Sequence, residues 1–142
     1  MSIFFDNTFS IRAVQCIRLL RQDSAAVPLI HLQDEFSPDT KDIEWIPAIS
    51  QKQYRLITAD GRIRKGSAER AALDEAGIPT MFVYSGFTNL TIWKQTAWLM
   101  DHWERIEEKL LKLKPHEIRH INANGSVTTY EEMASKRQRN KK

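Results

Sequence analysis

Three short apolar runs in this chain each stop at, or just before, an acidic residue, and a stretch of helical character follows each one. SIFFD (Ser2–Asp6) ends in an acid, VPLIHL (Val27–Leu32) precedes Asp34 and Glu35, and RLIT (Arg55–Thr58) precedes Asp60. A fourth run, PTMFVY (Pro79–Tyr84), completes the alternation β-α-β-α-β-α-β. Consecutive strands joined by helices pair in parallel through right-handed crossovers, with helices on both faces of the sheet. The expected fold class is therefore α/β, with a mainly parallel central sheet flanked by helices.

Helix boundaries follow from capping chemistry. Thr8 or Ser10 is placed to accept the free amide hydrogens of a helix in which Ile11, Val14, Ile17 and Leu20 form the apolar face. Thr40 is the expected cap of a helix beginning near Lys41, and Pro47 predicts a kink or a short first turn there. Ser67 and Gly77 bracket a helix over Ser67–Ala76. A longer helix is expected from Asn89 to Leu113, with Trp93, Ala97, Met100, Trp103, Ile106, Leu110 and Leu113 as its stripe. Its apolar surplus points to packing against another copy of the chain, a homodimer. Asn124-Gly125 then signals a C-terminal β-hairpin with a two-residue turn. These elements make one domain over residues 1–133, followed by a basic, disordered tail over 134–142.

Composition narrows the function classes. The 142 residues include a single cysteine, Cys16, which rules out an internal disulfide and a thiolate zinc site and reads as a small buried side chain. No apolar run reaches the roughly 18–20 residues that span a bilayer, so no membrane role is expected. The start, MSIFFDNTFS, lacks the basic and apolar regions of a signal peptide, which fits a cytoplasmic protein. The net charge is +3, but KRQRNKK at the end contributes five positive charges, which leaves the body slightly acidic. Attraction to nucleic acid must then come from that tail and from local clusters.

In a parallel sheet, ligands bind beyond the carboxyl ends of the strands. That rule gathers Asp6, Asp34, Glu35 and Asp60 at one edge, with Asp42 and Glu44 in the first turns of the helix after the second strand. Converging carboxylates repel one another, and a divalent cation removes that cost. Oxygen-only donors suit Mg²⁺ or Mn²⁺, and such ions serve phosphodiester hydrolysis by activating water and stabilising developing charge. Asp6, Asp34, Asp42, Glu44 and Asp60 are the candidate metal ligands. Arg62, Arg64 and Lys65 are candidate contacts to substrate phosphates, and His31 is a candidate contact to a carboxylate or a phosphate. Asn7 either bonds a metal-bound water or helps to begin the first helix.

Four blocks occur in order: FFDN (Phe4–Asn7), HLQDEF (His31–Phe36), KDIEWIP (Lys41–Pro47) and LITADGRI (Leu56–Ile63). Together they resemble the Rossmann-like PIN-like domains related to VapC-type toxins of bacterial toxin–antitoxin systems, over about residues 3 to 113. The resemblance implies a Mg²⁺- or Mn²⁺-dependent endoribonuclease acting on RNA and restrained by a cognate antitoxin protein. By position it assigns catalytic roles to Asp6, Asp34, Asp42 and Asp60. The chain lacks the extended helical insertion of longer PIN domains. Glu35 competes with Asp34, and Glu44 with Asp42, for the middle positions, so Asp6 and Asp60 anchor the reading.

Two other classes compete. One is a catalytically silent PIN-like domain that binds nucleic acid or a protein partner. The other is a phosphoacceptor domain, which also gathers acids at strand ends. It is disfavoured because no Asp-Asp pair follows the first strand and no lysine stands directly after a late one.

Overall fold

A computed structural model describes residues 1–21, 27–65 and 67–129. The basic tail expected over 134–142 lies outside the described residues. Five strands run parallel: β1 (Ser2–Phe5), β2 (Leu29–His31), β3 (Tyr54–Thr58), β4 (Thr80–Val83) and β5 (Ile118–Ile121). A sixth, β6 (Val127–Thr129), pairs antiparallel to β5, and the order across the sheet is β2-β1-β3-β4-β5-β6. The order reverses direction at β1, the first strand laid down, with β2 on one side of it and β3 on the other. Crevices form at such switch points, because the connections leave toward opposite faces. The C-terminal hairpin is not an appendage: β5 joins β4 directly and extends the sheet.

The sheet's two faces carry separate cores. On one, α1 (Ile11–Leu20) and α6 (Ile92–Leu111) cover Ile3, Phe5, Ile57, Met81 and Val83. On the other, α3 (Asp42–Gln51) and α5 (Ala68–Ala76) cover Phe4, Leu56 and Phe82. Successive residues of a strand point to opposite faces, so Phe4 and Phe5 belong to different cores. Phe5 stacks on Trp103 with ring centroids 5.4 Å apart, and Phe4 meets Trp45 at 5.3 Å. Two short helices, α2 (Leu32–Glu35) and α4 (Gly61–Arg64), start immediately beyond β2 and shortly beyond β3, and a 3₁₀ turn (Ser85–Asn89) leads from β4 into α6.

Several expectations are corrected in detail. Leu20 is exposed rather than part of the α1 core face, which is Ala13, Val14 and Ile17. Three steps of three residues from Ile11 carry Leu20 about half a turn around the helix. Cys16 is exposed on the same helix, since the buried positions leave it on the outer side. Likewise the α6 stripe is split. Leu99, Trp103, Ile106 and Leu110 are buried, whereas Trp93 and Met100 are exposed, because the run from Ala97 to Ile106 drifts by about half a turn. Residues of VPLIHL beyond His31 turn into α2 instead of extending the strand. Lys41, not Thr40, occupies the position before α3 and makes no side-chain capping bond, and Pro47 is accommodated within the helix as an internal residue.

On the β2 edge of the sheet, side chains satisfy two outward backbone groups. Leu29 O, on the side of β2 away from β1, accepts from Arg18 Nε at 3.0 Å and Nη2 at 2.7 Å. The neighbouring outward amide, His31 N, donates to Asp34 Oδ2 at 2.8 Å, and Asp34 in turn pairs with Arg18.

The hairpin turn also differs from the two-residue form. Gly125 N donates to Asn122 O at 2.9 Å and Asn122 N to Ser126 O at 2.8 Å, which makes a three-residue loop. Only Gly125 takes positive φ, at 87°, while Asn124 uses its Oδ1 to accept from Ser126 N at 3.0 Å. A Cβ on Gly125 would stand 2.6 Å from the His102 ring. Gly125→Ala is therefore expected to lose about 1–2 kcal/mol through backbone strain and displacement of that ring. A thermal melt checks this, and an unchanged midpoint would contradict the turn geometry.

Candidate active site

The apolar character of β1 ends at Asp6, and the chain turns at once into α1. That turn leaves the carboxyl 3% exposed, between the tips of β1 and β3. Asp6 Oδ1 accepts from Thr8 N at 3.1 Å and from the Thr8 hydroxyl, and Oδ2 accepts from the hydroxyl of Thr58, the last residue of β3. The same hydroxyl oxygens accept from the backbone: Ala59 N donates to Thr8 Oγ1 and Asp60 N to Thr58 Oγ1, each at 3.0 Å. Burial pushes the Asp6 carboxyl up to about 7, against the lowering effect of these hydrogen bonds, and the nearby Asp60 charge pushes in the same direction.

Asp60 caps α4 by accepting from Arg62 N at 2.9 Å. Burial raises its pKa, but bonds from Arg62 outweigh that and hold it below the ordinary carboxylate value. Asp42 opens α3, where the buried Trp45 indole donates to its Oδ1 at 3.0 Å. Burial, then the charge of Asp60, moves Asp42 upward. The Arg62 guanidinium stands between the two acids, 3.0 Å from Asp60 and 3.7 Å from Asp42, with its side chain 73% exposed. Asp6, Asn7, Thr8, Asp42, Asp60, Arg62 and Glu69 share one cavity of about 540 Å³.

The structure thus brings Asp6, Asp42 and Asp60 to a single cavity, and leaves other expected residues elsewhere. Asp34 does not line it: its carboxylate closes a capping box with His31 and pairs with Arg18. Glu35 pairs with Lys52 at 3.0 Å and accepts from the Tyr54 hydroxyl at 2.6 Å, and Glu44 is exposed outside the cavity. His31 is fully buried. Its Nε2 lies 2.7 Å from Phe9 O and its Nδ1 accepts from Gln33 N at 3.0 Å, so both ring nitrogens serve the backbone. Asn7 lines the cavity and ties down the loop after α2, donating to Pro38 O at 2.7 Å. Arg64 is buried beside α5 rather than facing the cavity, and Lys65 lines an adjoining shallow depression with Arg62 and Glu69.

Thr58, Trp45 and Glu69 are not among the site residues expected from the sequence, and Thr8 is expected only as a helix cap. The threonines carry a usable signal, a hydroxyl two residues from an acid in DNT and TAD. Trp45 lies three residues after Asp42, one helical turn on. Glu69 has no such signal, because its arrival depends on how α5 packs.

All-oxygen donors on a buried strand tip fit an oxygen-preferring divalent cation such as Mg²⁺ or Mn²⁺ in kind. Among the described residues, no three acidic, histidine or cysteine side chains converge closely enough to hold an ion as they stand. The Arg62 guanidinium occupies the ground between two of them.

A doubly covered, mainly parallel sheet whose first and third strands lead into acids around one cavity defines an α/β domain with an acidic site at its carboxyl edge. The sequence model of the PIN-like domain family matches residues 1–85, more than half of the chain, so the protein belongs to that family, whose members are generally nucleases. The match takes in β1 to β4 and every acid that lines the cavity. No curated protein and no solved structure matches the chain.

The raised Asp6 has a consequence for stability. Between its ordinary value of 3.8 and about 7, the folded protein holds a proton that the unfolded chain has lost. Stability of the metal-free protein should then fall as pH rises through this window, by an upper bound on the order of 4 kcal/mol. Asp6→Asn should flatten that slope and raise the melting temperature in EDTA at pH 8. A native protein that gains stability from pH 5 to 8 would contradict the burial argument.

Proposed function

We propose that the protein is a metal-dependent endoribonuclease in which Asp6, Asp42 and Asp60 hold Mg²⁺ or Mn²⁺. The observation that carries this reading is Asp6: a carboxyl with both oxygens bonded, buried enough to sit at about 7, beside two more acids at one cavity. Folding free energy is spent on burying an acid there beside two others, and a bound cation would offset it. When bound, the cation would polarise a phosphoryl oxygen and lower the pKa of water beside it.

The chain's own residues divide the remaining work. Thr8 and Thr58 fix the Asp6 carboxylate from both sides, so it is aimed without reorganisation. Trp45 fixes Asp42 from the core. Arg62 offsets part of the charge of Asp42 and Asp60 in the metal-free protein, and its exposed, long side chain is free to turn outward to a substrate phosphate once a cation replaces it. Asn7 holds the wall of the cavity formed by residues 38–43. The neutral, doubly bonded His31 supports the frame and takes no part in proton transfer.

The resemblance to VapC-type toxins supports a role as the toxin of a toxin–antitoxin pair, neutralised by a cognate protein that covers this cavity. A catalytically silent, RNA-binding domain is the second reading, favoured by the Arg62 guanidinium standing where an ion would bind. No helix among the described residues is long and apolar enough to cross a membrane.

Purified protein with Mn²⁺ should cleave an RNA that carries single-stranded segments, and Asp6→Asn or Asp60→Asn should each lower the rate by at least about 100-fold. Cleavage that persists in both variants and in EDTA would defeat the metal-dependent assignment. Trp45→Phe keeps an aromatic in the core but frees Asp42. It should weaken Mn²⁺ binding several-fold with little change in fold, as read by calorimetry and circular dichroism, and equal affinity would remove Asp42 from the ligand set.

A further inference from the structure

Trp93 is 84% exposed on the first turn of α6, although Trp45 and Trp103 are buried and the Trp98 indole donates to Ala123 O at 2.9 Å. A large aromatic left in water forgoes several kcal/mol of burial, so its position is informative. The first turn of α6 starts from the carboxyl end of β4 through the 3₁₀ turn, and α1 starts from the carboxyl end of β1. Because β1, β3 and β4 are parallel, these starts lie on the same rim as Asp6 and Asp60. The rim is continuous: Phe9, three residues after Asp6, packs on Phe87 with ring centroids 5.3 Å apart, and Trp93 follows Phe87 by six residues. The helices behind it, α1 and α6, pack on each other.

The charge along this rim is one-sided. Residues 7–21 and 77–100 contain no Asp or Glu at all. Arg12 on the first turn of α1 and Lys94 on the first turn of α6 are both exposed. The body of the chain is slightly acidic, so an acid-free track beside an acidic cavity suits a polyanion whose scissile phosphate reaches that cavity while its flanks lie elsewhere.

We propose that single-stranded RNA runs from the carboxylate cavity along the β1–β4 rim, with a nucleobase stacked on Trp93 and flanking phosphates met by Arg12 and Lys94. This rests on the nuclease reading and adds to it a residue, Trp93, that positions the strand and reads whether its bases are unstacked. Stacking needs an unstacked base, which a single strand offers and a duplex does not. Arg12 and Lys94 contribute charge without sequence preference, whereas Trp93 makes the track selective for strand state.

The test is fluorescence anisotropy with a labelled oligouridine of about a dozen nucleotides, in EDTA so that no cleavage occurs. Trp93→Ala is expected to bind about 10-fold more weakly, Trp93→Phe within about threefold of the native protein, and a duplex RNA of equal length alike for all three. Equal binding of the single strand by native protein and Trp93→Ala overturns the proposal, as does an equal loss on the duplex. It is also overturned if sedimentation shows that Trp93→Ala breaks a dimer while RNA affinity stays the same, since Trp93 then serves a second copy. Trp93-dependent binding by a protein that cleaves nothing with Mn²⁺ supports the track and defeats the nuclease reading. Cleavage with Trp93-independent binding does the reverse, and a native protein that binds no RNA overturns the track.

Discussion

Asp6 accepts from Thr8 through one oxygen and from Thr58 through the other, so a single buried carboxyl joins the tips of β1 and β3. Much of the remaining site depends on this junction. Thr8 continues it to Ala59 and Thr58 continues it to Asp60, which places Asp60 to cap α4. Arg62, in that helix, then reaches both Asp60 and Asp42. Losing the carboxyl's shape would loosen two strand tips, a helix start and the salt-bridge pair together. Losing only its charge, by contrast, removes the cost of burial and leaves the bonds largely in place.

The electrostatics follow a consistent division. Asp6 is raised chiefly by burial, Asp60 is lowered by Arg62 in spite of burial, and Asp42 is raised by burial and by Asp60. Three carboxyls of one amino-acid type thus differ through surroundings alone. The buried one is fixed by hydroxyls, and the two at the cavity wall share one mobile cation. One long, exposed guanidinium therefore carries the charge balance between α3 and α4, and the buried carboxyl beside it has no cationic partner of its own among the described residues.

How much of this was legible in the sequence depends on whether local pattern or packing decided it. The alternation of strands and helices, the tip positions of Asp6 and Asp60, and the caps at Ser10, Ser67 and Gly77 follow from nearby residues, and they could be read directly. Asp34 looked equivalent to Asp60 because both follow a strand closely. The difference is that α2 starts directly at Leu32, which turns Asp34 back onto His31 N and toward Arg18 of α1, a contact sixteen residues away. Trp93 was grouped with core tryptophans because steps of three and four residues look alike on paper, yet their accumulated rotation sets which side faces water. Glu69 reaches the cavity only through the packing of α5, which no local motif encodes.

The Arg18–Asp34 pair on β2 has a meaning beyond the site it failed to join. A parallel sheet ending in a three-residue strand would present a free carbonyl and a free amide to any passing extended chain. Here the guanidinium fills the carbonyl of Leu29 and the carboxylate fills the amide of His31. An acid placed for chemistry in the linear pattern instead helps to terminate the sheet, so an extended chain meeting β2 finds the Leu29 carbonyl and the His31 amide already bonded. The consequence is a β2 edge less open to strand addition, directly beside the apolar inner strand β1 that carries Phe4 and Phe5.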